Sequence, residues 1–61
     1  MKMTVHVVEA QVRVGSPPVP VPGVWEMVSL HVNWASAWKQ ATRMAELTGM
    51  NYRVVETELR E

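Results

Sequence analysis

The sequence of 61 residues contains no cysteine and no phenylalanine, and its positive and negative charges cancel. Without cysteine it forms no disulfide, and two histidines without a thiolate do not make a closed structural zinc site. The sequence also contains no recognisable catalytic or cofactor-binding motif, so we expect no metal, no cofactor and no catalytic residue. Because a domain of about 60 residues buries only about 60% of its unfolded surface, self-association is the remaining route to stability.

Charge and hydropathy argue against two further classes of partner. Six basic residues are balanced by six acidic ones, and they lack the basic excess with which proteins neutralise nucleic-acid phosphates. The apolar runs are only a few residues long, too short to span a membrane. The amino terminus alternates in the manner of a strand and has no signal-peptide core. We therefore expect a cytoplasmic protein that binds no membrane, and the charge balance argues against nucleic acid as its partner.

Strand and helix periodicities predict four elements in a single domain. Alternation indicates a strand over about 3–14, four prolines indicate a loop over 15–23, and a second strand follows over about 24–32. A period of 3.6 predicts a helix over about 34–48, capped by Asn33 or Ser36 and ended by Gly49. A third strand is predicted over about 51–59. The expected fold is α+β: β-β-α-β with a three-stranded antiparallel sheet of order 2-1-3 and one helix on one face.

The spacing of the first two strands suggests that Val14 pairs with Val24, which places Val8 opposite Leu30 and Arg13 opposite Trp25. This register puts His6 and His31 on opposite faces. For the third strand we favour Val55, Thr57 and Leu59 turned toward the helix. Trp34 and Trp38 lie on the apolar side of the helix, where they are expected to form part of the core.

One helix covers one face of such a sheet, so the other face is left open. The predicted open face is apolar, and a patch of this kind is typical of a protein-binding surface. We expect a homo-oligomer, with a dimer favoured, in which His31 confers pH sensitivity and Arg13 stacks on Trp25. The candidate interface residues are Met3, Val5, Val7, Trp25, Met27, His31, Tyr52 and Val54.

The segment from Trp38 to Val55 reads WKQATRMAELTGMNYRVV. It resembles the endings of small orphan proteins from bacteriophages of actinobacteria, over about a third of the chain. The resemblance implies an accessory protein that binds a bacterial host or phage protein and performs no chemistry of its own. It carries over no functional residue.

Three other functions remain open on the sequence. The first is a small oligomeric enzyme with its site between subunits; the length is similar to that of tautomerase subunits, although Lys2 stands where that family has its catalytic proline. The second is a weak nucleic-acid binder that uses dispersed lysines and arginines. The third lies in the PxxP spacing of Pro17 to Pro20, typical of polyproline ligands, although a rigid hairpin connection is the favoured role for that segment.

Overall fold

The computed structural model describes residues 2–60, which form three strands and one helix. These are β1 (Lys2–Val14), β2 (Val19–His31), α1 (Trp34–Thr48) and β3 (Tyr52–Arg60). The strands form one sheet in the order β2-β1-β3, and β1 is antiparallel to both of its neighbours. The predicted α+β fold and strand order are confirmed.

Strand β2 begins at Val19, five residues earlier than the sequence suggested. The predicted proline-rich loop over 15–23 is therefore wrong over its second half, and only residues 15–18 form the turn. Pro20 and Pro22 are accommodated because β2 is an edge strand, where a missing N–H on the solvent side interrupts no ladder.

The pairing of β1 with β2 also differs from the expected register. Val8 pairs with Ser29 instead of Leu30, and Arg13 pairs with Pro20 instead of Trp25. Two irregularities cause the difference. Val28 has no partner between the pairs that Val8 and Glu9 form, and a longer bulge lies between Gln11 and Arg13. Gly23 occupies this second bulge with a φ of 75°, a backbone conformation that favours glycine.

The helix begins and ends at the predicted residues because both caps are formed. The side-chain oxygen of Asn33 accepts hydrogen bonds from the backbone N–H groups of Ala35, at 2.8 Å, and Ser36, at 3.4 Å. At the other end Gly49 adopts a φ of 72°, and its N–H donates to the carbonyl of Ala45 at 2.9 Å. Both ends therefore have partners for backbone groups that helix termini otherwise leave unpaired.

The core beneath the helix is small. Val8, Ala37 and Ala41 are buried together, and Tyr52 and Val54 pack against them. The predicted core positions of Trp34 and Trp38 are wrong, since their side chains are 59% and 43% exposed. The alanines bring the helix close to β1, so the bulky indoles project from its sides. There they form an edge-to-face pair with ring centroids 6.0 Å apart.

The facing of β3 is the reverse of the predicted one. Tyr52 and Val54 lie beneath the helix. Because successive side chains alternate along a strand, Val55, Thr57 and Leu59 lie on the opposite face.

Strands β1 and β2 continue beyond the end of β3. The pairing of β1 with β3 covers Lys2 to Ala10, so residues 12–24 form a two-stranded extension that we call the arm. Val14 and Val19 at its tip are 59% and 58% exposed. The arm contributes to an elongated molecule with extents of 45 × 21 × 12 Å.

Candidate protein-binding surfaces

The face of the sheet away from the helix, here called the reverse face, follows from the strand pairings. Val8 lies on the helix side, so the odd-numbered residues of β1 and their partners lie on the reverse face. Val7 stands between Leu30 and Val55, and Met3 pairs with Leu59. With Met27 from the next row they form a group that we call the apolar stripe: Met3, Val7, Met27, Leu30, Val55 and Leu59.

The apolar stripe is accessible to a partner. Met27 is 63% exposed, Met3 50%, Leu30 47% and Leu59 46%, while Val7 and Val55 are half-buried. Single exposed hydrophobic residues are common on protein surfaces. These side chains instead lie on adjacent strands of one face, and grouped apolar exposure of this kind is typical of an interaction site.

A polar cluster borders the stripe at the end nearer the arm. Glu9 lies between Met27 and Arg53, and its carboxylate accepts a hydrogen bond of 2.7 Å from Arg53 Nε. The guanidinium of Arg53 also lies over the ring of Trp25, 4.2 Å from the centroid. The expected stacking of Arg13 on Trp25 is therefore wrong. In the observed register the cation that stacks on Trp25 is Arg53 of β3.

Gln11 extends this cluster to both edges of the sheet. Its carbonyl oxygen accepts a 2.8 Å hydrogen bond from Asn51, and its amide nitrogen donates to the carbonyl of Val21 at 3.3 Å. The second contact satisfies a carbonyl within the long bulge of β2. The reverse face thus divides into an open apolar stripe and a polar cluster whose members bind one another.

The predicted interface residues are distributed over both faces. Met3, Val7, Trp25 and Met27 lie on the reverse face, as expected. Val5 also lies on that face by alternation, but it is fully buried and contributes no accessible surface.

Three predicted members lie on the helix side instead. Tyr52 and Val54 pack against the core under the helix, and His31 pairs with His6 on that same face. The expected position of His31 on the open face is therefore wrong, and with it the geometric basis for pH sensitivity at an interface there. The physical reason is the register: one unpaired residue in β2 turns over every position beyond it.

Sequence reasoning missed Leu30, Val55 and Leu59. Each is an apolar residue that is compatible with the helix side and with the reverse face, so alternation alone does not decide which face it occupies. The bulge at Val28 decides the facing of Leu30, and the packing of Tyr52 against the helix decides that of Val55 and Leu59. No signal in the sequence marks the position of the bulge.

The two edges of the sheet are poorly suited to pairing with another strand. Pro20 and Pro22 remove backbone donors from β2. Edge strand β3 carries Glu56, Glu58 and Arg60 in its second half, and charge of this kind opposes edge-to-edge association. The reverse face is therefore a better candidate interface than either edge.

A shallow pocket lies beside the helix. It has a volume of about 360 Å³ and a mostly apolar surface, and we call it the helix groove; its lining is Trp38, Ala41, Thr42, Ala45, Glu46 and Tyr52. A separate hollow of about 400 Å³ lies at the carboxyl end of the helix, where Arg13 and Pro18 of the arm face Thr48 and Met50.

The two histidines are paired, contrary to the expectation that they lie on opposite faces. His6 is opposite His31 in the ladder, and Glu56 flanks His6 on β3. His31 Nε2 is 2.9 Å from the hydroxyl oxygen of Ser29, a contact that strand residues two apart can make because they share a face. Within residues 2–60 the buried Nδ1 of His6 has no hydrogen-bond partner.

These polar groups do not assemble a metal site: across the described residues, no three or more histidine, aspartate or glutamate side chains are placed to hold an ion. Helix α1 has 15 residues, and the described chain has no helix long and apolar enough to cross a bilayer. The fold and surfaces define an open-faced α+β domain. No family model, curated protein or solved structure matches the chain.

Proposed function

We propose that this protein is a small, non-enzymatic protein–protein interaction module that self-associates through the apolar stripe of its reverse face. The observation that carries the proposal is the stripe itself, six apolar side chains in nearby rows of one sheet face, on which residues 2–60 place no further helix or strand. The favoured product is a homodimer in which two reverse faces pack together. Aligned packing of two sheets is a common way of burying such faces.

The total exposed area supports this proposal. A compact monomer of 6.9 kDa exposes about 4,000 Å², whereas this chain exposes 4584 Å². The excess of roughly 600 Å² approaches the area of about 800 Å² that each partner contributes to a standard interface. The largest fully buried side chains are valines, so the monomer has little core to offset its chain entropy.

The polar cluster next to the stripe is suited to the edge of this contact. Glu9 and Arg53 bind each other, so neither is an unpaired charge that the interface must desolvate. They form a suitable polar rim beside an apolar centre, which is the usual anatomy of an interface.

Substitution of Met27 by lysine tests the proposal. Lysine places a charge in the middle of the stripe, while its position opposite Glu9 avoids repulsion within the monomer. We expect the association constant measured by sedimentation equilibrium to fall at least about tenfold, equivalent to about 1.4 kcal/mol. The matched control is Leu47→Lys, since Leu47 is 71% exposed on the helix, away from the stripe.

The control should associate like the unmodified protein, and both variants should retain the far-ultraviolet circular dichroism of the fold. If the unmodified protein is monomeric at millimolar concentration, self-association is wrong. If both lysine variants associate normally, the assigned surface is wrong.

We propose that the protein acts in the cytoplasm and has no chemistry of its own. The resemblance of residues 38–55 to bacteriophage proteins suggests that a bacterial host or phage protein is a further partner. That partner would compete with the second copy for the stripe, so its addition should dissociate the dimer.

One contact favours a second candidate function, a hydrolase. Ser29 Oγ and His31 Nε2 lie 2.9 Å apart, which is the distance between a nucleophile and its general base. However, neither of the two hollows described above includes Ser29 or His31 in its lining. Labelling with a fluorophosphonate, compared with Ser29→Ala, tests this candidate. Labelling that depends on Ser29 would establish it, and absence of labelling would leave the Ser29–His31 contact structural.

A further inference from the structure

The arm carries an apolar, proline-rich tip that is largely exposed. Four prolines lie between residues 17 and 22, and Arg13 is the one charged side chain between residues 12 and 24. Val14 and Val19 are more than half exposed. A two-stranded ribbon is at best marginally stable alone in water, so a docking surface for the arm would stabilise it.

The helix groove has the properties of such a surface. Its sides include the aromatic rings of Trp38 and Tyr52, Ala41 and Ala45 leave the space between them, and Glu46 is its one charged residue. Its volume of about 360 Å³ is within the range of about 300–1,000 Å³ found for ligand sites. Proline-rich segments dock in aromatic-lined grooves and lose little conformational entropy when they do so.

A chain does not fill its own groove with its own arm. Arg13 and Pro18 face Thr48 and Met50, at the carboxyl end of the helix, whereas the groove lies along the helix from Trp38 to Glu46. An arm that occupies the groove must therefore come from another molecule.

We propose that the helix groove binds the proline-rich tip of the arm, residues 16–20, from a second copy of this chain. The charges are complementary, because the one charged side chain of the arm is basic and the one charged residue of the groove is acidic. Arg13 of the incoming arm lies against Glu46 of the groove. This contact goes beyond the proposed sheet-face dimer, because it uses the helix side of the sheet and the arm, and neither belongs to the apolar stripe.

Paramagnetic relaxation in a mixed sample tests the contact on the whole chain. Because the sequence has no cysteine, Ser16→Cys supplies a unique attachment site for a nitroxide at the exposed tip of the arm. Spin-labelled protein without ¹⁵N is mixed with unlabelled ¹⁵N protein, so any broadening is intermolecular. We expect selective broadening of the amide signals of Thr42, Ala45 and Tyr52, and its loss when the ¹⁵N protein carries Ala45→Arg.

The outcomes separate this contact from the sheet-face dimer. Broadening confined to Met27 and Leu30 would overturn the arm–groove contact and leave the dimer in place. Absence of broadening at any position would overturn it as well. If an added Ser-Pro-Pro-Val-Pro peptide shifts the groove signals but the labelled arm does not broaden them, the groove binds a foreign proline-rich segment and our assignment of the occupant is wrong.

A charge exchange provides a second readout in the Met27→Lys background, which removes the sheet-face contact. Arg13→Glu and Glu46→Arg should each weaken the residual association by about threefold, because a surface ion pair contributes about 0.2–1 kcal/mol. An equimolar mixture of the two variants should recover it, since each arm then meets a groove of opposite charge. Failure of the mixture to recover the association would contradict the pairing of Arg13 with Glu46.

Discussion

The side chain of Arg53 contacts the first and the second strand from its position on the third. It donates to Glu9 at 2.7 Å and lies 4.2 Å from the centroid of Trp25. Its side chain is 47% exposed, so water screens both contacts and neither is worth more than about 1 kcal/mol. Its importance is geometric, because it joins all three strands across the reverse face.

Replacement of Arg53 by alanine should therefore lower the free energy of unfolding by about 1 kcal/mol. Urea denaturation, followed by circular dichroism at a fixed low protein concentration, measures the change. The matched control is Arg43→Ala on the exposed side of the helix, which should change stability by less than about 0.5 kcal/mol. Equal losses in the two variants would show that the cross-strand contacts of Arg53 contribute nothing.

At the scale of elements, the contact between α1 and the sheet depends on small side chains. Ala37 is fully buried and Ala41 is 3% exposed, and both lie against Val8. This close approach explains why Trp34 and Trp38 lie outside the core, since there is no space between the helix and β1 for an indole. It also leaves Trp38 available to line the helix groove.

Enlargement of Ala41 to leucine should force the helix away from the sheet. Overpacking of this kind costs about 1–3 kcal/mol, which is a large fraction of the stability of a domain of this size. Thermal unfolding of Ala41→Leu should show the loss, whereas Ala35→Leu on the exposed side of the helix should be close to neutral. A stability of Ala41→Leu equal to that of the control would mean that the close approach of the helix is not required.

Strand β2 shows where prediction from sequence failed. Its residue types are those of a strand, but the four prolines between residues 17 and 22 predict a break before Val24. Extended backbone tolerates proline on an edge, so β2 continues through Pro20 and Pro22. The unpaired Val28 then turns Leu30 to the reverse face, and this change makes the apolar stripe continuous across all three strands.

At the scale of the whole molecule, the chain exposes more surface than a compact monomer of the same mass. Its exposed area of 4584 Å² and its longest dimension of 45 Å both reflect a long hairpin with only one covering helix. Exposed apolar side chains occur on the reverse face, on the arm and along the helix. Folding and association are therefore expected to be coupled.

Coupling of this kind makes the melting temperature depend on protein concentration. For a two-state homodimer, a tenfold increase in concentration should raise the melting temperature by about 6 °C for a chain of this length. Differential scanning calorimetry of the unmodified protein and of Met27→Lys measures the effect, which should be smaller in the variant. A melting temperature that is constant over two decades of concentration would contradict the coupling.

Several features of the protein followed from the sequence alone. Periodicity and cap residues placed α1 at Trp34–Thr48, and the order of the elements was sufficient for the 2-1-3 sheet. An open face with Met3, Val7, Trp25 and Met27 on it also followed, because these residues belong to regions where alternation is regular or where the bulge does not change their side. Local signals such as alternation, capping and glycine conformation act over a few residues and can be read directly.

Only the tertiary structure decided which side of the sheet the remaining residues occupy. A single unpaired valine in β2 and the packing of Tyr52 under the helix reversed the predicted facing of His31, Leu30 and most of β3. A strand with apolar residues on both sides has nearly the same hydrophobic pattern in either facing. Small differences in packing between distant elements therefore select the facing, and these differences do not exist until the helix and the three strands are assembled.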